Sequence, residues 1–322
     1  MKVLVAGPGS TVGRRLVPLL LDAGHDVVGV SRSSEGVQEL GSLGVRGVVG
    51  DLLDRPGLLR LLRHERPEIV VHQISGTPRV YDPGRTRSQL DDSVAVRTIG
   101  SHNLADAARA SGVRRLIAQS YAHIYAPAGG WVKQERDPLN LGPEVPDGRL
   151  RNVQSIVALE KAVLETPGIE GVALRYGTLY GPGTAYDWGG SVARLVEQRH
   201  YPLVGGGTGW TSFVHVDDAA AAALLAIDGP TGAFNICDDR PAPLNEWLPA
   251  YASELSAPPP RHLPGFLVRA LGREHFVYRS TEQRAADNRW ARAQLGFEPR
   301  YVSWRQGFHR ELEMGLEFET AA

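Results

Sequence analysis

Lys2-Val3-Leu4-Val5-Ala6-Gly7-Pro8-Gly9-Ser10-Thr11-Val12-Gly13 is the stretch that decides the fold. Val3–Ala6 is a short unbroken apolar run, which suits a strand covered on both faces. The turn from Gly7 to Gly13 ends it. Val12, Leu16, Leu19, Leu20 and Ala23 then recur at spacings of three and four before Gly24, which predicts a helix. A strand, a glycine loop and a helix in succession bring the helix's first N–H groups to a turn that a pyrophosphate can approach closely. A tight turn that holds nothing is the weaker alternative, because further strand–helix units follow.

Strands are expected at Asp26–Val30, Arg46–Gly50, Glu68–His72, Val113–Gln119 and Gly171–Arg175. Helices are expected near Gly36–Leu40 and over Pro56–His64, Asp91–Ser111 and Asn152–Glu165. That alternation implies βαβ units with right-handed crossovers. The expected architecture is α/β: a Rossmann doubly wound parallel sheet with a smaller, interleaved C-terminal substrate domain. Residues 1–178 are assigned to the dinucleotide-binding domain, with 211–238 returning to it. Residues 179–210 and 239–322, where Gly and Pro cluster and the rhythm breaks up, are assigned to substrate binding.

Lys plus Arg number 35 against 36 Asp plus Glu, so no global charge excess exists to hold a nucleic acid. Cys237 is the lone cysteine, which excludes an internal disulfide and a four-thiolate metal site, and no other metal-ligand spacing is present. The chain opens directly into a strand with no leader-like layout, and its longest apolar run, Ala219–Ile227, falls far short of the roughly 18 residues a bilayer span needs. A cytoplasmic protein without a membrane partner is expected; the oligomeric state stays open. The second strand ends in Ser31-Arg32-Ser33-Ser34, with no carboxylate before Glu35. An acidic residue there would repel a 2′-phosphate, whereas Arg32 offers it a charge-assisted fork, so NADPH/NADP+ is expected rather than NADH. A solvated loop arginine is the alternative.

With these motifs in order, the chain resembles the extended short-chain dehydrogenase/reductases, the NAD-dependent epimerase/dehydratase family. Ala6–Gly13 is similar to its T-G-x-x-G-x-x-G loop, with Ser10 where the middle glycine belongs and Gly9 one place early. Gly50-Asp51-Leu52 resembles the adenine-contacting turn, and Val71-His72-Gln73-Ile74-Ser75 the V-x-H-L-A-A segment. Leu174–Pro182 resembles L-R-P-x-x-V-Y-G-P, and Phe213–Asp218 resembles F-x-H-V-D-D. The resemblance implies a cofactor held by Gly7, Gly9, Ser10, Thr11, Val12 and Gly13 at the loop. It adds Arg32, Asp51 and Leu52 on the adenosine side, and Gln73, Ile74, Ser75, Ser120, Tyr176 and Thr178 towards the nicotinamide.

The departures are as informative. The family's tyrosine and lysine form Y-x-x-x-K, but this chain has only Lys2, Lys133 and Lys161, and none has a tyrosine four residues earlier. Aligning Glu160 with the family's glutamate puts Asn152 and Ile156 at the tyrosine and lysine positions. Matching Gly100-Ser101-His102-Asn103-Leu104 to the family's G-T-x-N-L puts Arg97 at the tetrad asparagine, and counting back from Tyr125, which resembles the family's V-Y-G tyrosine, puts Tyr121 at the Ser/Thr. Trp210-Thr211-Ser212 stands where relatives handling nucleotide sugars carry an arginine.

Hydride delivery belongs to the cofactor and survives these changes; what is missing is the proton donor. Tyr121 and His123 are the candidates for a relocated acid, although an unperturbed phenol titrates near pH ~10 and is a poor acid without a cation beside it. Charge relief is therefore expected from the molecule being reduced. Tyr121, Tyr186, Trp188, Trp210 and Phe213 are expected to frame a pocket for a planar molecule. Tyr125 and His215 are expected to be structural, and Asp217 and Asp218 to cap a helix starting at Ala219. The expected activity is NADPH-dependent reduction of a ketone on a planar polycyclic or quinone-like metabolite, like the tailoring ketoreductases of aromatic polyketide (angucyclinone-type) antibiotic pathways. A noncatalytic NADP-binding sensor and a non-redox isomerase are the alternatives.

Overall fold

The computed structural model describes residues 1–41, 44–74, 86–143 and 145–309. Seven parallel strands form the central sheet: β1 (Lys2–Ala6), β2 (Asp26–Ser31), β3 (Arg46–Val49), β4 (Ile69–His72), β5 (Arg115–Tyr121), β6 (Glu170–Tyr176) and β7 (Gly232–Ile236). Their order across the sheet is β3-β2-β1-β4-β5-β6-β7. The direction of winding reverses between β1 and β4, and a doubly wound sheet opens its ligand crevice at such a point, beyond the strands' C-terminal ends. Helices α1 (Gly13–Asp22), α2 (Ser34–Gly41), α3 (Arg55–Glu65), α4 (Thr86–Ala95), α5 (Ser101–Ala110) and α6 (Asp147–Leu164) connect the first six strands.

Alternation along the strands sends side chains to two cores. Val3, Val5, Ile69, Val71 and Ile117 pack with Leu16, Val17 and Leu20 of α1 and the alanines of helix Val216–Leu225. Leu4, Val70, Leu116 and Ala118 pack on the opposite face with Leu58, Leu104, Leu159 and Val163. Both faces are covered, which is why these strands read as unbroken apolar runs.

The single helix expected over Asp91–Ser111 is divided. Between α4 and α5 the chain makes a π turn, Val96–Gly100. The extra residue lies where Gly100 approaches the loop after β3; a Cβ at Gly100 would sit 3.1 Å from Leu52 Cβ. Arg97 lies in this turn, and π-bulges concentrate at functional sites.

The strongest polar tie is buried between α6 and β6. Arg175 donates through Nε and Nη2 to the two oxygens of Glu160 (2.8 and 2.7 Å), and Ser120 Oγ donates to the same carboxylate at 2.5 Å. Arg175 also donates to Tyr125 Oη, which donates to Asn235 Oδ1 on β7 (3.0 and 2.7 Å).

Beyond β6 an aromatic core gathers Tyr180, Tyr186, Tyr201, Phe213, Trp247, Tyr251, Trp304 and Phe308. This corrects two expectations. Phe213 is fully buried against Tyr180, Tyr186, Trp247 and Phe308 and presents no face to a ligand. Tyr186 packs edge-on to Phe213 and Tyr251, leaving its hydroxyl as its polar handle. Trp188 and Trp210 keep part of their surface. The helix expected to start at Ala219 begins at Val216, and its cap is His215, whose Nδ1 accepts from Asp217 N (3.2 Å). Asp218 instead accepts from the N–H groups of Arg300 and Tyr301 (2.9 and 3.0 Å), and Asp217 faces Arg15.

His72, at the end of β4, predicts an acid-sensitive fold. Its Nδ1 accepts from Ile74 N and its Nε2 lies 3.2 Å from Ser101 Oγ, and burial lowers its pKa to about 4. The folded imidazole stays neutral while the unfolded one takes a proton near pH ~6.5. Stability therefore falls as pH drops from about 6.5 towards 4, by up to roughly 1.4 kcal/mol per pH unit from this group. Urea titrations at pH 7 and pH 5 are expected to show a smaller loss in His72→Asn than in the unsubstituted protein.

Candidate active site

A cleft of about 880 Å³ opens at the β1/β4 reversal, lined from Gly7 to Val12 and by Ser31, Arg32, Asp51, Leu52, Gln73, Ile74, Val96, Gln119 and Leu179. Gly7 has φ +88°, and a Cβ there would lie 2.7 Å from Ile74 Cγ1. A Cβ on Gly13 would lie 2.2 Å from Gly7 O, so the turn closes this tightly only with glycine at both places. Ser10 Oγ takes the Gly13 N–H (3.0 Å), which is how the loop accommodates serine in place of its middle glycine. The N–H groups of Thr11 and Val12, at the start of α1, make no hydrogen bond among the described residues. Free N–H groups at a helix N-terminus suit a pyrophosphate.

On the adenosine side, Asp51 accepts from Leu53 N (2.9 Å) and Arg32 is exposed at the rim with no partner among the described residues. On the other side, Gln73 Nε2 donates to Tyr176 Oη (3.3 Å), leaving Gln73 Oε1 buried with no partner among the described residues. That orphaned acceptor, the free N–H pair and the glycine cradle fit a dinucleotide. Three expected contacts are corrected or displaced. Ser120 is turned away from the cleft to Glu160, because Gln119 before it takes the cleft face of β5. Tyr176 is buried beneath Gln73 and positions that amide. Thr178 serves His123, with Oγ1 at 2.8 Å from its Nε2. Ser75 lies outside the described residues.

Just past Gln119, the residues at the four tetrad positions come together. Arg97 donates to Asn152 Oδ1 (2.7 Å), and its guanidinium lies 4.6 Å from the centroid of the Tyr121 ring. Ile156, one turn along α6 from Asn152, belongs to the apolar cluster against which Tyr121 packs. The π turn thus places a guanidinium beside Tyr121, a cationic neighbour that the sequence reading did not foresee. His123 cannot serve as a general acid near neutrality, since burial and the nearby Arg279 and Arg149 hold its imidazole down to about 3. The sequence located Arg97 but carried no sign of its role, which depends on the π turn.

Residues 3–237 match the model of the NAD dependent epimerase/dehydratase family. The chain belongs to that family. It is a NAD-binding oxidoreductase with the extended short-chain dehydrogenase/reductase fold. It is 42% identical over 314 residues, covering 97% of this chain and 100% of the relative, to a 3-diazoavenalumate denitrifying reductase of a Streptomyces species. It is 29% identical to a 2-alkyl-3-oxoalkanoate reductase of Stenotrophomonas maltophilia, over 80% of this chain and 77% of that one. In fold it resembles the Thermotoga maritima UDP-glucose 4-epimerase (TM-score 0.75, 23% identity, 99% of this chain and 100% of that chain). Among the described residues, no group of three or more His, Cys, Asp or Glu is placed to hold a metal, and no helix is long and apolar enough to cross a membrane.

Proposed function

We propose that this family member is an NADPH-dependent reductase of a planar aromatic electrophile, and that its substrate carries a diazo group beside a ring oxygen. The observation that carries this is the tetrad cluster: a guanidinium, Arg97, held by Asn152 beside the Tyr121 ring, with an apolar Ile156 where the family's lysine would stand. Such a site stabilises negative charge but is poor at supplying protons, and the 42% identical relative is by name a reductase that acts on a diazo compound. When bound, the dinucleotide supplies a hydride, which takes the place of dinitrogen at the ring carbon as N2 leaves with the C–N bonding pair. The ring oxygen is left as a phenolate, and no proton is needed for the exchange.

The chain's own residues supply the rest. Gly7, Gly13 and the N–H groups of Thr11 and Val12 hold the pyrophosphate, Arg32 takes the 2′-phosphate, and Gln73 holds the nicotinamide end. Arg97, kept in place by Asn152, stabilises the developing phenolate, an electrostatic role suited to a water-poor site. Trp188 and Trp210 offer flat surface beyond it.

A second reading is the reduction of a ketone on a polycyclic or quinone-like molecule of aromatic-polyketide type, with protonation partly assisted by the substrate. The name of the 29% identical relative, an oxoalkanoate reductase, favours it. Incubation with NADPH and a panel of aryl diazo compounds and polycyclic quinones separates the two: N2 release with NADPH consumption supports the first, hydroxylated product without N2 the second. Binding of NADP(H) without turnover would point to a sensor, and product without NADPH loss to an isomerase.

Arg32→Ala is expected to raise KM for NADPH by about 10- to 100-fold, the range of a lost charge-assisted hydrogen bond, with KM for NADH little changed. Steady-state kinetics with both cofactors reads this, and an unchanged ratio would remove the 2′-phosphate assignment.

A further inference from the structure

We infer that Arg14 is a second ligand of the cofactor's 2′-phosphate, beside Arg32, and that Glu39 is the anion this phosphate displaces. The inference rests on the proposed use of NADPH. Arg14 is the second residue of α1, directly after the glycine that closes the loop. Its Nε donates to Gly9 O (3.1 Å), and its Nη2 lies 3.5 Å from Glu39 Oε2. Arg14, Arg32 and Glu39 all line the one cleft.

The backbone sets the direction. Gly7 N donates to Val30 O (3.4 Å), and a Cβ at Gly29 would sit 3.0 Å from Pro8 Cγ, so the loop from Gly7 to Gly9 lies across the end of β2. Arg32 follows directly on Ser31, the last residue of that strand. Glu39 stands five residues into α2, ~7.5 Å along the helix axis from Ser34. A guanidinium anchored on Gly9 O and reaching Glu39 therefore crosses from the loop to α2, on the adenosine side of the pyrophosphate cradle. Arg32 enters the same space from β2.

The electrostatics ask for an anion there. The first turn of α1 carries two cations, Arg14 and Arg15, and no acid, at the positive end of the helix dipole. Arg15 is paired with Asp217 (3.4 Å). The pair of Arg14 with Glu39 joins side chains that are 51% and 70% exposed, a contact that contributes little in water and is readily exchanged. A phosphate monoester offers the guanidinium three oxygens and up to about twice the charge of a carboxylate. Only the terminal nitrogens change partner, so Nε keeps its bond to Gly9 O. NAD+, with a hydroxyl in place of that phosphate, leaves the pair with Glu39 intact.

Calorimetric titration with NADP+ and NAD+ tests the assignment in the unsubstituted protein, Arg14→Gln, Arg32→Gln, Glu39→Gln and the double variant Arg14→Gln/Glu39→Gln. The NADP+/NAD+ affinity ratio is expected to fall about 10-fold in Arg14→Gln and to rise about threefold in Glu39→Gln. In the double variant the gain from Glu39→Gln is expected to vanish, since no guanidinium remains to be released. Equal weakening of both dinucleotides in Arg14→Gln would make Arg14 a pyrophosphate or loop-holding residue and overturns the assignment. A gain that persists in the double variant overturns the displacement, because Glu39 would then act on the phosphate by its charge alone. A ratio that falls in Arg32→Gln but not in Arg14→Gln overturns the inference and leaves the use of NADPH standing. An unsubstituted protein that binds NADP+ no more tightly than NAD+ overturns both.

Discussion

Glu160→Leu is expected to destabilise the protein by about 3–5 kcal/mol, the range for breaking a buried pair from one side. The substitution strips both carboxylate oxygens from Arg175, which is 6% exposed, and leaves Ser120 Oγ without its carboxylate acceptor. It also loosens Tyr125 and Asn235, through which α6 and β6 are tied to β7. Glu160→Gln is expected to cost less, because the amide keeps one acceptor for the guanidinium. Urea titrations of the two variants check this; equal stability in Glu160→Leu and the unsubstituted protein would show that the network is dispensable.

The second large effect concerns Arg97 and Tyr121, which respond oppositely if charge stabilisation rather than proton donation drives the reaction. Arg97→Leu is expected to lower kcat/KM for an aryl diazo substrate by about 100-fold or more, as for the loss of a buried charge contact. Tyr121→Phe is expected to stay within about threefold, since a phenol acting as general acid would be worth ~10²–10⁴-fold. Because Arg97 also bonds Asn152, the comparison is made with thermal unfolding of each variant. A collapse of activity in Tyr121→Phe would make Tyr121, with Arg97 beside it, the relocated acid and would favour ketone reduction.

The fold was legible because the parallel strands are buried on both faces and advertise themselves as apolar runs, and because a glycine loop and its helix carry their own geometry in sequence. Gly7 and Gly13 could be read correctly since no other residue fits the turn. The seventh strand, Gly232–Ile236, lay inside the segment expected to return to the sheet, although its short run gives no strong periodic signal. The π turn was invisible, as it depends on the approach of Gly100 to Leu52 rather than on local spacing. The aromatic residues misled for the same reason: composition cannot tell a ring in a core, such as Phe213, from one on a pocket wall.

The most direct test follows the transferred hydrogen. NADPH deuterated at the nicotinamide C4, on each face in turn, is mixed with an aryl diazo compound bearing an adjacent ring oxygen, and product and gas are analysed by mass spectrometry. For one of the two deuterated forms, a single deuterium is expected at the carbon that carried nitrogen, with one N2 released per NADPH oxidised. Hydrogen from solvent at that carbon, or N2 release without NADPH oxidation, would contradict replacement of dinitrogen by hydride.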